Sequence, residues 1–590
     1  MFRRSPMRKR ILPGAVIVLT LLSAGDWLAL AQNKSSAATP ARAPRPPARP
    51  KLVAVLVVDQ MRADYVDKFR GQWSAGLRRL VEEGAWFRNA AYPYAATETC
   101  VGHATISTGA LPATHGIIGN AWWDREQQAM VTCTADANAQ DLGYAGLSVK
   151  GGDSAARLRL PTFADELRFQ NGGGAARVVS ISLKARAAIM LAGHRADVVT
   201  WFDGSNGAWV TSSVYGRSPF VEEYAKAHPA REDYGKTWSL ALPPSAYFYE
   251  AATTGAIAPP GWGLTFPHAL RGKAEGAEPD SAYYDEWAAS PFADTALTRL
   301  AEKAVDSLHL GQGSGTDFLD ISYSSPDLVG HAFGPRSHEI QDILVRLDGD
   351  LGELFARLDQ KVGRGNYVVA LSADHGVVPI PEDMQKTGAD AGWLRIPELR
   401  ARMEKAFEAF HYPKPSVASV TGGEIYFAPG VYERLQQEPV AMRAVLDAIR
   451  GVPGIANVYR AEELQDRPAT QSPMRNAEAA GYYAGRSGDL LFVPTPYWPY
   501  DFFPPGQRTH GTTHGTPYAY DQRVPILLMG WGIQPGEYFS AATPADIAPT
   551  LGSLCGITLA PRDGRVLSEA LKGSRSSGPK SMPSAPAAQR

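Results

Sequence analysis

The sequence predicts an α/β protein with a central, mostly parallel sheet, helices on both of its faces, and smaller lobes inserted into it. Three observations carry that expectation. Apolar runs without alternation recur at 51–58, 177–183, 317–323 and 367–372, as expected of strands buried on both sides. Helical patterns separate them, above all the stripe Ile340, Ile343, Leu347, Leu351, Leu354 and Leu358, which reads as core. The runs also end close to polar residues, and open α/β sheets bind ligands outside the carboxyl ends of their strands.

The chain has 590 residues, 44% of them hydrophobic and 20% charged, a globular composition with ample length for a large core. A net charge of −1 gives no electrostatic reason to expect nucleic acid or an anionic membrane as partner. Arg3, Arg4, Arg8, Lys9 and Arg10 precede an apolar stretch at 11–22, and Ala29-Leu30-Ala31 has the small-x-small form of a cleavage site. We read 1–31 as a signal peptide, which places the mature protein in the periplasm or outside the cell. The stretch is short and broken by Pro13 and Gly14, so no stable membrane anchor is expected, although Asp26 near the cleavage site keeps an uncleaved anchor open. Cys100, Cys133 and Cys555 allow one disulfide at most.

Residues 32–50, rich in Ser, Ala and Pro, read as a disordered linker. The first strand, 51–58, ends at Asp59-Gln60. Asp59 is either a ligand-binding carboxylate or an N-cap for a helix expected over 65–83. Next comes Thr97-Glu98-Thr99-Cys100-Val101-Gly102-His103-Ala104-Thr105, opening a helix-compatible run to Gly109. A hydroxyl there faces unpaired N–H groups and the positive end of the helix dipole, a good seat for a phosphate; the plain alternative is an N-cap. Asn120 lies in a Gly-rich turn, where such residues are normally structural.

The strand at 177–183 runs into Lys184-Ala185-Arg186. In extended chain Lys184 and Arg186 would face one way, as an oxyanion clamp or as a solvated edge. Residues of about 200–290, with many Trp, Tyr, Pro and Gly and little periodicity, read as an insertion lining the substrate entrance. After the strand at 317–323, Asp327 and His331 are spaced to share one helix face, a metal pair or a common accident. The strand at 367–372 leads to Asp374-His375-Gly376. A small α+β insertion is expected at about 377–485, then a strand at 489–493, the string His510-Gly511-Thr512-Thr513-His514-Gly515-Thr516-Pro517, a last strand at 524–529 and a helix at 545–554. The catalytic domain is thus expected over 51–572, and 573–590 reads as a disordered tail.

Taken together, the strand-end residues are Asp59, Thr99, Asp327, His331, Asp374, His375 and His514. Mixed Asp and His ligands suit zinc, and six are too many for one ion but suit two. A two-metal site activates both attacking and leaving oxygens, with Thr99 as a nucleophile that otherwise has no base.

On these residues the chain resembles the alkaline phosphatase superfamily, in its Thr-nucleophile, phosphate-irrepressible (PafA-type) branch. The matching pieces are Val57-Val58-Asp59-Gln60, Thr99 with Gly102-His103, Gly116-Ile117-Ile118-Gly119-Asn120, Lys184-Ala185-Arg186, Asp327 with His331, Asp374-His375-Gly376, and His514-Gly515-Thr516-Pro517-Tyr518, in the family's order. The resemblance implies an alkaline phosphatase-like fold and hydrolysis of small phosphomonoesters of broad type through a phosphothreonine at Thr99. It implies two zinc ions, one on Asp327, His331 and His514, the other on Asp59, Thr99, Asp374 and His375. It gives Asn120, Lys184 and Arg186 the phosphoryl oxygens, aided by the Cys100 N–H. His510 competes with His514, and Thr97 with Thr99. A phosphodiesterase or nucleotide pyrophosphatase of the same superfamily is the nearest rival reading, and a non-catalytic zinc-binding periplasmic protein a remoter one. A sulfatase fits poorly, because Val101-Gly102-His103-Ala104 follows Cys100 in place of the Pro and Arg that sulfatases carry.

Overall fold

The computed structural model describes residues 48–171, 176–273, 279–465, 470–504 and 506–573. The expected leader, nearly all of the linker and the tail from 574 lie outside the described residues.

The core is a ten-stranded sheet. Its strands are β1 (Leu52–Val58), β2 (Ala85–Ala90), β3 (Asp141–Gly143), β4 (Val178–Ser182), β5 (Val198–Asp203), β6 (Ala208–Ser212), β7 (Asp317–Tyr323), β8 (Tyr367–Ser372), β9 (Ile526–Gly530) and β10 (Gly536–Ala542). Their order across the sheet is β10-β2-β9-β8-β1-β7-β4-β5-β6-β3. The central run β8-β1-β7-β4-β5 is parallel throughout. On one flank β9 runs antiparallel to both β8 and β2, while β10 lies parallel to β2. On the other flank β5, β6 and β3 pair antiparallel.

The unalternating run of β1 has a direct cause. Leu52, Ala54, Leu56 and Val58 join one hydrophobic layer, and Val53, Val55 and Val57 join the layer on the opposite face. Both faces are covered, so both sets of side chains are apolar. Five helices matter for the site: α1 (Thr99–Thr108), α2 (Ala185–Ala192), α3 (Pro291–Leu308), α4 (Ser325–Phe333) and α5 (His338–Leu358). The stripe read from the sequence on α5 is buried.

Register brings the strand ends together. Val58 of β1 lies opposite Tyr323 of β7, Val57 opposite Ser372 of β8, and Ser322 opposite Ser182 of β4. The residues that follow these four strands, Asp59, Ser324, Ala373 and Leu183, therefore sit along one carboxyl edge, at the position where α/β sheets hold ligands.

Several local expectations are corrected. The helix read over 65–83 is two helices, Asp64–Phe69 and Gly76–Glu83, joined by a 3-10 turn. The break is held by Asp348 of α5, whose carboxylate accepts from the N–H groups of Ser74, Ala75 and Arg78 and so caps the second helix. The insertion expected from about residue 200 starts later, because β5 and β6 belong to the main sheet. The strand expected at 489–493 forms as Leu490–Pro494, but in a separate four-stranded antiparallel sheet with Val417–Thr421, Glu424–Phe427 and Ile455–Arg460. Helices Ile396–Glu408 and Pro439–Arg450 pack on that sheet around its own core. The lobe read as 377–485 thus continues past 490. The strand read as last, now β9, is followed by β10 at the sheet edge.

Candidate active site

Thr99 is the first residue of α1, its side chain fully buried, with Glu98 as an extended N-cap. Thr99 Oγ1 lies 3.4 Å from His375 Nε2. Asp59 follows β1, Asp374 and His375 follow β8, and Asp327 and His331 lie one turn apart on α4. His514 comes from the loop before β9. Atoms from Asp327, His331 and His514 lie within 4.8 Å of one another, as do atoms from Asp59, Asp327 and His375. Asp374 Oδ2 is 3.4 Å from His375 Nε2, and Asp59 Oδ1 is 3.6 Å from it. All seven strand-end residues named from the sequence therefore meet in one place. Thr97 does not compete, since its hydroxyl donates to the Thr516 carbonyl. His510 stays outside the cluster, 5.8 Å from His331 ring to ring.

The three imidazoles are held alike. Each Nδ1–H donates to a backbone carbonyl: His331 to Thr512, His375 to Gly376 and His514 to Thr97, at 2.8, 2.9 and 2.8 Å. That fixes the tautomer and leaves each Nε2 lone pair facing inward, the way metal-binding histidines are oriented. His375 and His514 stack at 3.5 Å. Burial, with the neighbouring His375 and His331, holds His514 well below its usual pKa, so its ring is neutral.

Charge in the pit is unbalanced. Three carboxylates, Asp59, Asp327 and Asp374, are buried there, and Lys184 Nζ is the cation between them, 2.5 Å from both Asp59 Oδ2 and Asp327 Oδ2. Burial, with Asp327 and Asp374 nearby, pushes Asp59 well above the usual carboxylate range. Burial also acts upward on Asp327, but Lys184, His331 and His514 outweigh it and hold this group well below that range. The buried oxygens Asp59 Oδ1 and Asp374 Oδ2 lack a hydrogen-bond partner. Orphaned carboxylate oxygens beside inward imidazole lone pairs form a donor set that fits divalent zinc.

Lys184 is the N-cap of α2 and Arg186 lies in its first turn. The two cations thus leave a helix start, and the extended geometry expected for them does not occur. Asn120 sits opposite. Its Oδ1 accepts from the Cys100 N–H at 2.8 Å, so that N–H, expected to serve a phosphoryl oxygen, is already used to cap α1. A Cys100–Cys133 disulfide and a Cys133 N–H to Asn120 carbonyl bond (3.0 Å) tie the Asn120 turn to the start of α1. Cys555 is free and buried.

Several supporting residues had no assigned role in the sequence reading. Gln60, at φ 68°, donates its N–H to Asp374 Oδ1 and its side-chain amide to Asp327 Oδ1, at 3.1 and 2.6 Å. Glu98 accepts from the Asn120 N–H at 2.6 Å. His103 bridges the Thr99 carbonyl and Ser322 Oγ, both at 2.8 Å, with Asp374 Oδ2 at 3.3 Å. The run Asp59-Gln60 and the stretch from Thr97 to Thr105, which holds Glu98 and His103, were the signals for them.

A family model described as type I phosphodiesterase/nucleotide pyrophosphatase matches residues 53–516. The alkaline phosphatase PafA of Elizabethkingia meningoseptica is 32% identical over 523 residues, 86% of this chain and 92% of that one. The alkaline phosphatase PhoV of Synechococcus elongatus is 31% identical over 556 residues, 92% and 96% of the two chains. The crystal structure of wild-type PafA superposes with a TM-score of 0.78 at 30% identity, covering 89% of this chain and 99% of its own. A PafA variant substituted at one threonine, one asparagine, one lysine and one arginine gives 0.77.

Proposed function

Because the chain belongs to the type I phosphodiesterase/nucleotide pyrophosphatase family, within the alkaline phosphatase superfamily, we propose that it hydrolyses small phosphomonoesters through a phosphothreonine at Thr99, with two zinc ions (Zn2+) per chain. The observation that carries this reading is the setting of Thr99. Its hydroxyl opens a helix inside a pit of three carboxylates and three inward imidazoles, with Lys184 and Arg186 alongside. The curated relatives named alkaline phosphatases, which match over most of the chain, support it.

Asp327, His331 and His514 would hold one zinc, and Asp59, Thr99, Asp374 and His375 the other. When bound, the two ions supply Lewis acidity that favours the Thr99 alkoxide and neutralises charge on the phosphoryl group. The chain's own residues do the rest. Thr99 Oγ1 attacks phosphorus, the bond to the ester oxygen breaks, and the alcohol leaves. Water then cleaves the phosphothreonine, releasing inorganic phosphate and restoring the hydroxyl. Asn120, its Oδ1 engaged by the Cys100 N–H, is left with its amide N–H donors for a phosphoryl oxygen. Lys184 and Arg186 favour the monoester, because its dianion rewards a cation more than a diester monoanion does. Glu98 and His103 hold this machinery in register through the bonds described above.

The family model's own description favours a phosphodiesterase as second reading; two cations near the nucleophile weigh against it. No helix among the described residues is long and apolar enough to cross a membrane. With the leader read at 1–31, the proposed place of action is the periplasm or the outside of the cell, and the proposed catalytic domain spans 51–572.

The deciding experiment measures metal content and the turnover of a monoester and a matching diester, on wild type and Thr99→Ala. The expected result is two zinc ions per wild-type chain and faster monoester hydrolysis. Thr99→Ala should lose turnover by orders of magnitude. Full monoester turnover by Thr99→Ala would overturn the nucleophile assignment, and a diester preference in wild type would overturn the monoesterase.

A further inference from the structure

From Thr99 the site continues outward as a file of rings. Thr99 Oγ1 is 3.4 Å from His375 Nε2. His375 stacks on His514 at 3.5 Å, and His514 lies 5.0 Å from His331. His331 meets His510 at 5.8 Å, and His510 packs against Trp393 at 6.2 Å and Phe503 at 5.7 Å, both edge-on. Trp393, Phe503 and His510 are all half-buried.

The indole is held in place. The Arg508 guanidinium lies 4.0 Å from the Trp393 ring centre. The Trp393 N–H donates to Glu382 Oε1 at 3.0 Å, and Arg508 donates to the same oxygen at 2.8 Å. An aromatic group fixed before binding loses little further freedom on binding. The guanidinium covers one face of the indole and its charge is matched by Glu382, so this corner is aromatic and not a second anion site.

In-line displacement puts the attacking and leaving oxygens on opposite sides of phosphorus. Thr99 stands on the His375 side, so the alcohol departs toward His331, and the next groups outward are His510, Trp393 and Phe503. Resting on the phosphomonoesterase reading above, we propose that these three rings form a leaving-group subsite for a flat π-system. The enzyme then prefers nucleoside and aryl phosphomonoesters over esters of plain sugars or alkyl alcohols. Ring surfaces of this kind accept any base by stacking, without hydrogen-bond readout.

The test compares adenosine 5′-monophosphate with ribose 5-phosphate on the mature metal-loaded enzyme. Both lose the same primary alcohol, and the base is the difference of interest. The expected ratio of kcat/KM is about tenfold in favour of the nucleotide, expressed mainly in KM. Trp393→Ala and His510→Ala should each bring the ratio toward one, and Trp393→Phe should keep part of it. A ratio is immune to partial misfolding, since both substrates use the same folded fraction. A ratio near one in wild type, or one unmoved by the Ala variants, overturns the subsite and leaves the phosphatase intact. If wild type turns over neither monoester but cleaves a diester, the phosphatase reading falls and the subsite with it.

Discussion

Gly102 is where α1 rests on the turn that carries Asp374, and Gly102→Ala is the sharpest probe of the site's construction. An added Cβ would lie 2.2 Å from the Asp374 carbonyl oxygen and 2.6 Å from both its Cα and its Cβ. No rotamer change can move these atoms away. Ordinary contact begins at 3.4 Å, so helix and turn must part by about 1 Å, a strain that costs about 1–3 kcal/mol in a packed core. The effect on chemistry should be larger. Thr99 is three residues earlier on the same helix, Asp374 faces it through His375, and a displacement of about 1 Å in a reacting constellation costs on the order of a hundredfold. The assay is kcat/KM on a phosphomonoester, with zinc per chain and melting temperature measured on the same samples. Gly349→Ala, on the exposed face of α5 with nothing within 4 Å of the new Cβ, is the control. It should be neutral or stabilise by up to about 1 kcal/mol. A Gly102→Ala protein with wild-type kcat/KM and wild-type metal content would refute the reasoning.

Other expected outcomes follow from charge, crosslinking and burial. Lys184→Ala and Arg186→Ala should each slow a monoester at least about tenfold more than a diester, since one extra unit charge near a cation is worth up to about 4 kcal/mol at protein-surface dielectric; equal losses on both substrates refute the charge argument. Replacing both Cys100 and Cys133 by Ala opens a crosslink spanning 33 positions, for which chain entropy predicts a loss of about 4 kcal/mol, read as a lower denaturant midpoint. An unchanged midpoint contradicts it. Asp294, fully buried on α3, is pushed by burial up to about 8, so its neutral form belongs to the fold. Its contribution is complete below the unfolded carboxylate pKa and is lost as pH rises through about 4 to 8. Asp294→Asn should flatten the melting-temperature profile over that window, and an unchanged slope speaks against it.

Much of this site was legible in the sequence because strand ends are chemically conspicuous. The β1 and β8 runs stay apolar on both faces until Asp59 and just before Asp374, so a change of character marks the sheet's edge. The backbone devices that aim those side chains were not legible. Gln60 takes positive φ without being glycine, and no local pattern announces it. Lys184 and Arg186 leave the start of one helix and not the extended chain expected for them, because a strand running straight into a helix leaves no Pro or Gly to mark the switch. Leu490–Pro494 shows the complementary limit. Five apolar residues reveal a strand but not which sheet receives it, and the choice here was made by its partners Glu424–Phe427 and Ile455–Arg460 in the inserted lobe. The reversal of β9 among parallel strands was equally silent, since strand direction is set by connections and not by composition.

The carbonyl of Thr97 receives the imidazole of His514 across 417 positions of chain, and that bond has a consequence for biosynthesis. A polypeptide that stops before Thr512 has strands β1, β4, β7 and β8 to hand, yet it has neither that imidazole nor the Thr512 carbonyl that steadies His331. Premature stops and nascent chains should therefore leave a threonine and its acids in an open trough with half a cage. Competence should arrive late and all at once, when the stretch around Thr512 and His514 closes the ring.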